Sequence, residues 1–129
     1  MMFLPLGIRS LWDAPPLANA RAALESRDTA TIETQIAISE IAAPTGEESE
    51  RGAWVASRFR ALGLTDLRTD AAGNVTGMRP GAEDSAPVVI CAHLDTVFPR
   101  AVPLRVQRDG ARLSGPGIGD NGRGLAAML

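Results

Sequence analysis

An incomplete α/β arrangement, helices packed on a central mixed sheet, is what this sequence predicts. Apolar residues recur at helical spacing through the first half, short β-branched runs bounded by glycine and proline fill the second, and a new helical pattern opens at the end. In 129 residues this allows one domain at most. Its core is expected to be thin, because aromatic residues are only 4% and alanine supplies much of the apolar share.

The opening run MMFLPLGIRSLWDAPP is broken by Pro5 and Gly7 and has no Lys or Arg before Leu4. It therefore reads as neither a secretory signal nor a membrane span, and residues 1–28 are taken as an N-terminal extension. Leu17 to Arg27 are helix-compatible. Thr29 or Thr31 is expected to cap a second helix through IETQIAISEIAA, with Ile32, Ile36, Ile38 and Ile41 on helical spacing and a stop before Pro44. A turn at Pro44, Thr45 and Gly46 leads into the next helix, started by Thr45 or Gly46, with acids in its first turn and Trp54, Val55, Phe59 and Leu62 as its buried face. Gly63 closes it. Strands are expected in LTDLRT at 64–69, in NVTGMRP from Asn74 and in PVVICAHLD from Pro87. The last gives the clearest signal: Val88 to Cys91 is an unbroken apolar run with β-branched residues, as in a buried central strand on which Trp54, Phe59 and Leu62 would pack. LRVQRDGARLSG is expected to double back at Asp109 and Gly110, GPGIGDNGRG to be a loop, and LAAML to begin a helix. GLAAML stops without a capping glycine or a basic last turn, so the chain looks cut off and residues 29–129 are expected to be a partial domain.

Thirteen Lys and Arg against fifteen Asp and Glu leave a net charge of -2, which provides no general field for nucleic acid or an anionic membrane. One cysteine rules out an internal disulfide and a cysteine-based metal cluster, and suits a reducing compartment, by default the cytoplasm.

His93, Asp95 and Asp120 stand out chemically. On an extended segment residues two apart share a face, so His93 and Asp95 can sit together at the carboxyl end of the expected strand. A carboxylate on one imidazole nitrogen would aim the other at a metal, and Asp120, in a glycine-rich turn entering a helix, could bring a second carboxylate. An ion held by both His93 and Asp120 implies a separation of about 3 to 4 Å between their donor atoms. Two or three ligands fall short of the four that zinc takes. Read singly, His93 also fits a hydrogen-bonded boundary residue and Asp120 a helix cap. Cys91, inside VVIC, fits a small buried hydrophobe better than a nucleophile paired with His93. Gly117, Gly119 and Gly122 match G-x-G-x-x-G, but Asp120 inside the pattern would repel a pyrophosphate, and no GK[ST] element supports a nucleotide loop. The glycines are better explained by close backbone approach to a site.

PTGEESERGAWVASRFRALGL, DAAGNVTGMRPG, VVICAHLDTVFP and LSGPGIGDNGRGLAAML, in that order, resemble the N-terminal motifs of the M20 metallopeptidases, over roughly Ile36 to Leu129. That family includes aminoacylases, carboxypeptidases and tripeptidase-like enzymes. The resemblance implies the N-terminal portion of a zinc-peptidase-like catalytic domain that hydrolyses amide bonds in small peptides or N-acyl amino acids. It assigns His93 as a zinc ligand, Asp95 as the carboxylate that orients it, and Asp120 as a bridge between two zinc ions, joined to Asn121 by a cis peptide. Manganese or cobalt could substitute for zinc. Where such enzymes commonly have a lysine soon after the aspartate, this chain has Gly122 and Arg123, which leaves the substrate subclass open. The general-base glutamate and the remaining ligands would lie beyond Leu129, so no general base is expected in this chain and none of the activity in the isolated 129 residues. A partner chain completing the fold, or a non-catalytic remnant serving as an interaction module, is the alternative.

Overall fold

The computed structural model describes residues 6–81 and 86–129. The expectations for Met1 to Pro5, and for the linker at residues 82–85, fall outside these. Four helices come first: α1 Leu6–Trp12, α2 Pro15–Ser26, α3 Asp28–Ser39 and α4 Ser49–Ala61. They are followed by β1 Thr65–Thr69, β2 Val75–Met78, β3 Gln107–Asp109, β4 Arg112–Ser114 and a short α5, Gly124–Met128. No described helix is long and apolar enough to cross a membrane.

Pro15 and Pro16 start α2, where their fixed φ suits the helix and their missing N–H groups are not needed. This helix buries nothing, and Leu11, Trp12, Leu17 and Leu24 stay exposed. What ties α1 to α2 is Arg21, whose guanidinium lies 4.3 Å from the centre of the Trp12 ring and donates to the Trp12 carbonyl at 2.5 Å. The next helix, α3, starts at Asp28, before either expected threonine cap. Asp28 places its carboxylate in the positive first turn, and Thr31 turns its hydroxyl back to the Arg27 carbonyl at 3.2 Å.

Ile38 of α3, Val55 and Phe59 of α4 and Leu125 of α5 form the core, flanked by the half-buried Trp54, Leu64, Leu67, Val75, Ala92, Leu94 and Met128. Val55 and Phe59 are buried as the helical spacing predicts, whereas Trp54 and Leu62 are only partly covered. Arg51 lies one turn before Val55 on the same face and is 1% exposed. Gly63 takes the left-handed conformation at φ 74°, as a closing glycine should.

The fold is α/β, but its sheet component differs from the expected central mixed sheet. Two separate antiparallel ladders form, β1 with β2 and β3 with β4. The first carries a bulge between Thr65 and Arg68 and turns through Asp70, whose carboxylate accepts from the backbone N–H groups of Ala72 and Asn74, both at 2.9 Å, and from the Asn74 amide at 2.8 Å. The second pairs Asp109 with Arg112 and turns at Gly110, φ 57°, next to the expected Asp-Gly step.

Residues 87–95 overturn the buried-strand expectation. They run extended without a ladder, and Val88, Val89 and Ile90 are 88%, 82% and 74% exposed; Cys91 is exposed too. An apolar run becomes a strand only when a neighbour supplies its backbone hydrogen bonds, and among the described residues the sole pairing nearby is the parallel bridge of Pro44 with Thr96. Packing on α4 begins later, at Ala92 and Leu94, which join the core cluster.

Candidate functional site

Alternation along this extended segment builds the site. Ala92 and Leu94 turn into the core, so His93 and Asp95 face the other way, toward a cleft of about 250 Å³ whose walls include Val97, Phe98 and Ile118. The segment is tied down by backbone contacts. Thr96 N–H donates to the Ala43 carbonyl at 2.7 Å, and Arg51 Nη1 donates to the Leu94 carbonyl at 2.7 Å while its Nε reaches the Ile41 carbonyl at 3.1 Å. Burial lowers the Arg51 pKa from its ordinary value and nearby Asp95 works the other way.

Asp120 comes from the other side, on Ile118–Arg123 between β4 and α5, where the expected loop is instead wound into a π-helical turn that breaks at Asp120 and Asn121. Gly117 enters it at φ 70°, and Gly122 N–H returns to the Gly117 carbonyl at 3.1 Å. From α3, Gln35 Nε2 donates to the Ile118 carbonyl at 2.7 Å, and its oxygen accepts from Arg123 at 3.3 Å. Arg123 also stands 3.8 Å from Asp28. The Asp120–Asn121 peptide is cis.

The three sequence-predicted residues meet in a line with His93 at its centre. His93 Nδ1 is 3.1 Å from Asp95 Oδ1 and from the Asp95 carbonyl, and Nε2 is 2.9 Å from Asp120 Oδ1. The last distance corrects the expected 3 to 4 Å gap: Asp120, 92% exposed, approaches until it hydrogen-bonds the ring directly. The second Asp95 oxygen accepts from Thr45 Oγ1 at 2.8 Å. Thr45 therefore serves Asp95 instead of capping α4, and Glu48 Oε1 takes the Gly46 N–H at 2.5 Å.

Desolvation pushes the His93 pKa down, but hydrogen bonds to Asp120 and then to Asp95 outweigh it, and the imidazole lies above its ordinary value of about 6.5. Asp95 is held below the usual carboxylate range, first by the Thr45 hydroxyl and then, against some desolvation, by His93. Because the folded pKa of His93 is raised, the stabilisation from its charged contacts is complete below its unfolded value and is lost as pH rises through the folded one. His93 is the chain's only histidine, so its ring protons titrate without overlap. In chelator-treated protein the NMR midpoint is expected above 6.5 and should fall in Asp120→Asn; an unchanged midpoint in that variant would show that the contact has no electrostatic weight.

The donor types suit zinc: an imidazole backed by a carboxylate, and an accessible second carboxylate. Their number does not complete a tetrahedron. Asp95 is committed on both oxygens, and among the described residues no group of three or more His, Cys, Asp or Glu converges as a metal cage. His93 and Asp120 would be the residues to hold the ion.

Sequence reasoning missed Thr45, Arg51 and Gln35. A charged residue at Arg51, one helical turn from Val55 and two from Phe59, was a usable signal, and so was Gln35 at helical spacing from Ile38. Nothing in the sequence pointed Thr45 toward Asp95, fifty residues away.

Residues 74–129, which contain His93, Asp95 and Asp120, match the family model of Peptidase family M28. No curated protein matches the chain. The M20 expectation from motif resemblance is not what this family model matches; the match is to M28, over less than half of the chain. What the match supports is the coarser reading common to both, a metallopeptidase-type family and, coarsely, peptide hydrolysis.

Proposed function

We propose that this chain carries part of the metal-binding site of a zinc-dependent hydrolase acting on amide bonds in small peptides or N-acyl amino acids. The observation that carries this reading is the acceptor-flanked imidazole: His93 has a carboxylate on each nitrogen, an environment that favours positive charge at both. A proton satisfies Nε2 in one state, and a cation shared with Asp120 would satisfy it in another. Bound zinc would polarise a scissile carbonyl and lower the pKa of a water. The chain's own residues do three things: Asp95 orients His93, Asp120 adds charge, and Val97, Phe98 and Ile118 give the cleft apolar walls for an uncharged substrate side chain. Neither Asp95 nor Asp120 is placed as a general base, because both contact the ring, and so the isolated chain is read as inactive. The M28 match over 74–129 and the order of the motifs support the class of reaction. The lone cysteine supports a cytoplasmic setting.

Calorimetric titration with zinc near pH 7 tests this, beside His93→Ala and with manganese and cobalt as alternatives. Weak binding is expected in the parent chain and loss of at least tenfold in the variant, with no dipeptide or N-acyl amino acid turned over by either. Equal binding in His93→Ala would defeat the reading. The exposed run Val88 to Ile90 favours a second one, an interaction module completed by a partner chain; metal-independent complex formation lost on Val89→Lys would support it.

A further inference from the structure

Asp95 is held at both ends, and the far end is held by Thr45, to which neither the sequence reading nor the resemblance gave a role at the site. Its Oδ1 meets His93 Nδ1 at 3.1 Å, and its Oδ2 accepts the Thr45 hydroxyl at 2.8 Å. A carboxylate bonded on one side only is free to rotate about its last torsion; one anchored on both sides keeps a fixed plane. The anchor is itself fixed. The backbone next to Thr45 is joined to the backbone next to Asp95 by the Pro44 to Thr96 bridge and the Thr96 to Ala43 hydrogen bond, and buried Arg51 connects the Ile41 and Leu94 carbonyls from beneath. Threonine adds a stiff χ1, so its hydroxyl direction follows from the backbone.

We propose that Thr45 is a positioning residue that acts through Asp95 on His93, holding the proton on Nδ1 and presenting Nε2 to Asp120 and to any ion between them. For its effect on metal this rests on the zinc reading above; for its effect on the ring it does not. Thr45 is exposed, so replacing it leaves the core intact.

The test compares the parent chain, Thr45→Val and Thr45→Ser in two measurements. Long-range proton–nitrogen NMR of the single imidazole, at a pH where the ring is neutral, reads which nitrogen carries the proton. Zinc titration reads the dissociation constant. In Thr45→Val the Nδ1–H population is expected to fall and zinc binding to weaken about tenfold, while Thr45→Ser, which keeps the hydroxyl, stays within about twofold of the parent. A tautomer change in Thr45→Val with no zinc bound by any of the three would uphold the positioning role and defeat the metal reading. Parent-like ring and zinc behaviour in Thr45→Val would overturn the proposal. So would a serine variant as impaired as the valine one, since that would trace the effect to the lost methyl group.

Discussion

Arg51→Met is expected to remove about 2 to 4 kcal/mol of folding free energy, a large share of the roughly 5 to 15 kcal/mol of an ordinary domain. Methionine fills similar length with an unbranched apolar chain, so little cavity forms. The loss comes from polarity: the Ile41 and Leu94 carbonyls both depend on the guanidinium, whose three contacts to them span 2.5 to 3.1 Å. Removing the donor leaves these acceptors without that partner where little water reaches, at about 1 to 3 kcal/mol each. Lysine should fall between, since one ammonium cannot reproduce a fork that bridges two separated carbonyls. Urea unfolding followed by circular dichroism checks this, and a midpoint unchanged in Arg51→Met would show that the carbonyls find other donors.

Gly122→Ala is expected to destabilise by about 1 to 3 kcal/mol through overpacking. A Cβ there would collide with the Ser39 hydroxyl of α3 and would stand 3.1 Å from the Gly117 carbonyl. Ser39 Oγ is buried with no hydrogen-bond partner among the described residues, so Ser39→Ala alone should be neutral or slightly stabilising. Combined with Gly122→Ala, it should recover much of the loss, leaving only the tight Gly117 contact. Additive effects in this double-mutant cycle would mean that the loop moves away from α3 rather than pressing on it. The small residue at Gly122 is thus set by packing against α3.

The parts of this molecule legible in its sequence are those governed by local periodicity. The Val55 and Phe59 face, the Gly63 stop and the turn at Gly110 follow from spacing and backbone preference, and all stand in the structure. His93, Asp95 and Asp120 could be picked out because an i, i+2 pair and a glycine-bounded acid are local patterns as well. Their partners could not: the helical spacing of Gln35 and Arg51 marks them as facing inward, but Thr45 reaches Asp95 across 50 residues and Gln35 reaches Ile118 across 83, and no local rule encodes such partners. The failure at Val88 to Cys91 has the opposite cause: hydrophobicity there described what the segment would do with neighbours, and pairing is a property of two segments.

That same segment governs how the chain behaves in company. From Pro87 to Cys91 it carries no charge and every residue is exposed on an extended backbone, so neither surface is disguised. Natural edges are blunted by inward charges or lysines; within the described stretch, Pro87 stands at one end of the run and the imidazole at the other. Each molecule therefore offers others a template with open donors and acceptors. Self-association through it would rise with concentration whatever the stability of the helical core, so solubility and folding are separable quantities in this protein, governed by different stretches of the same chain.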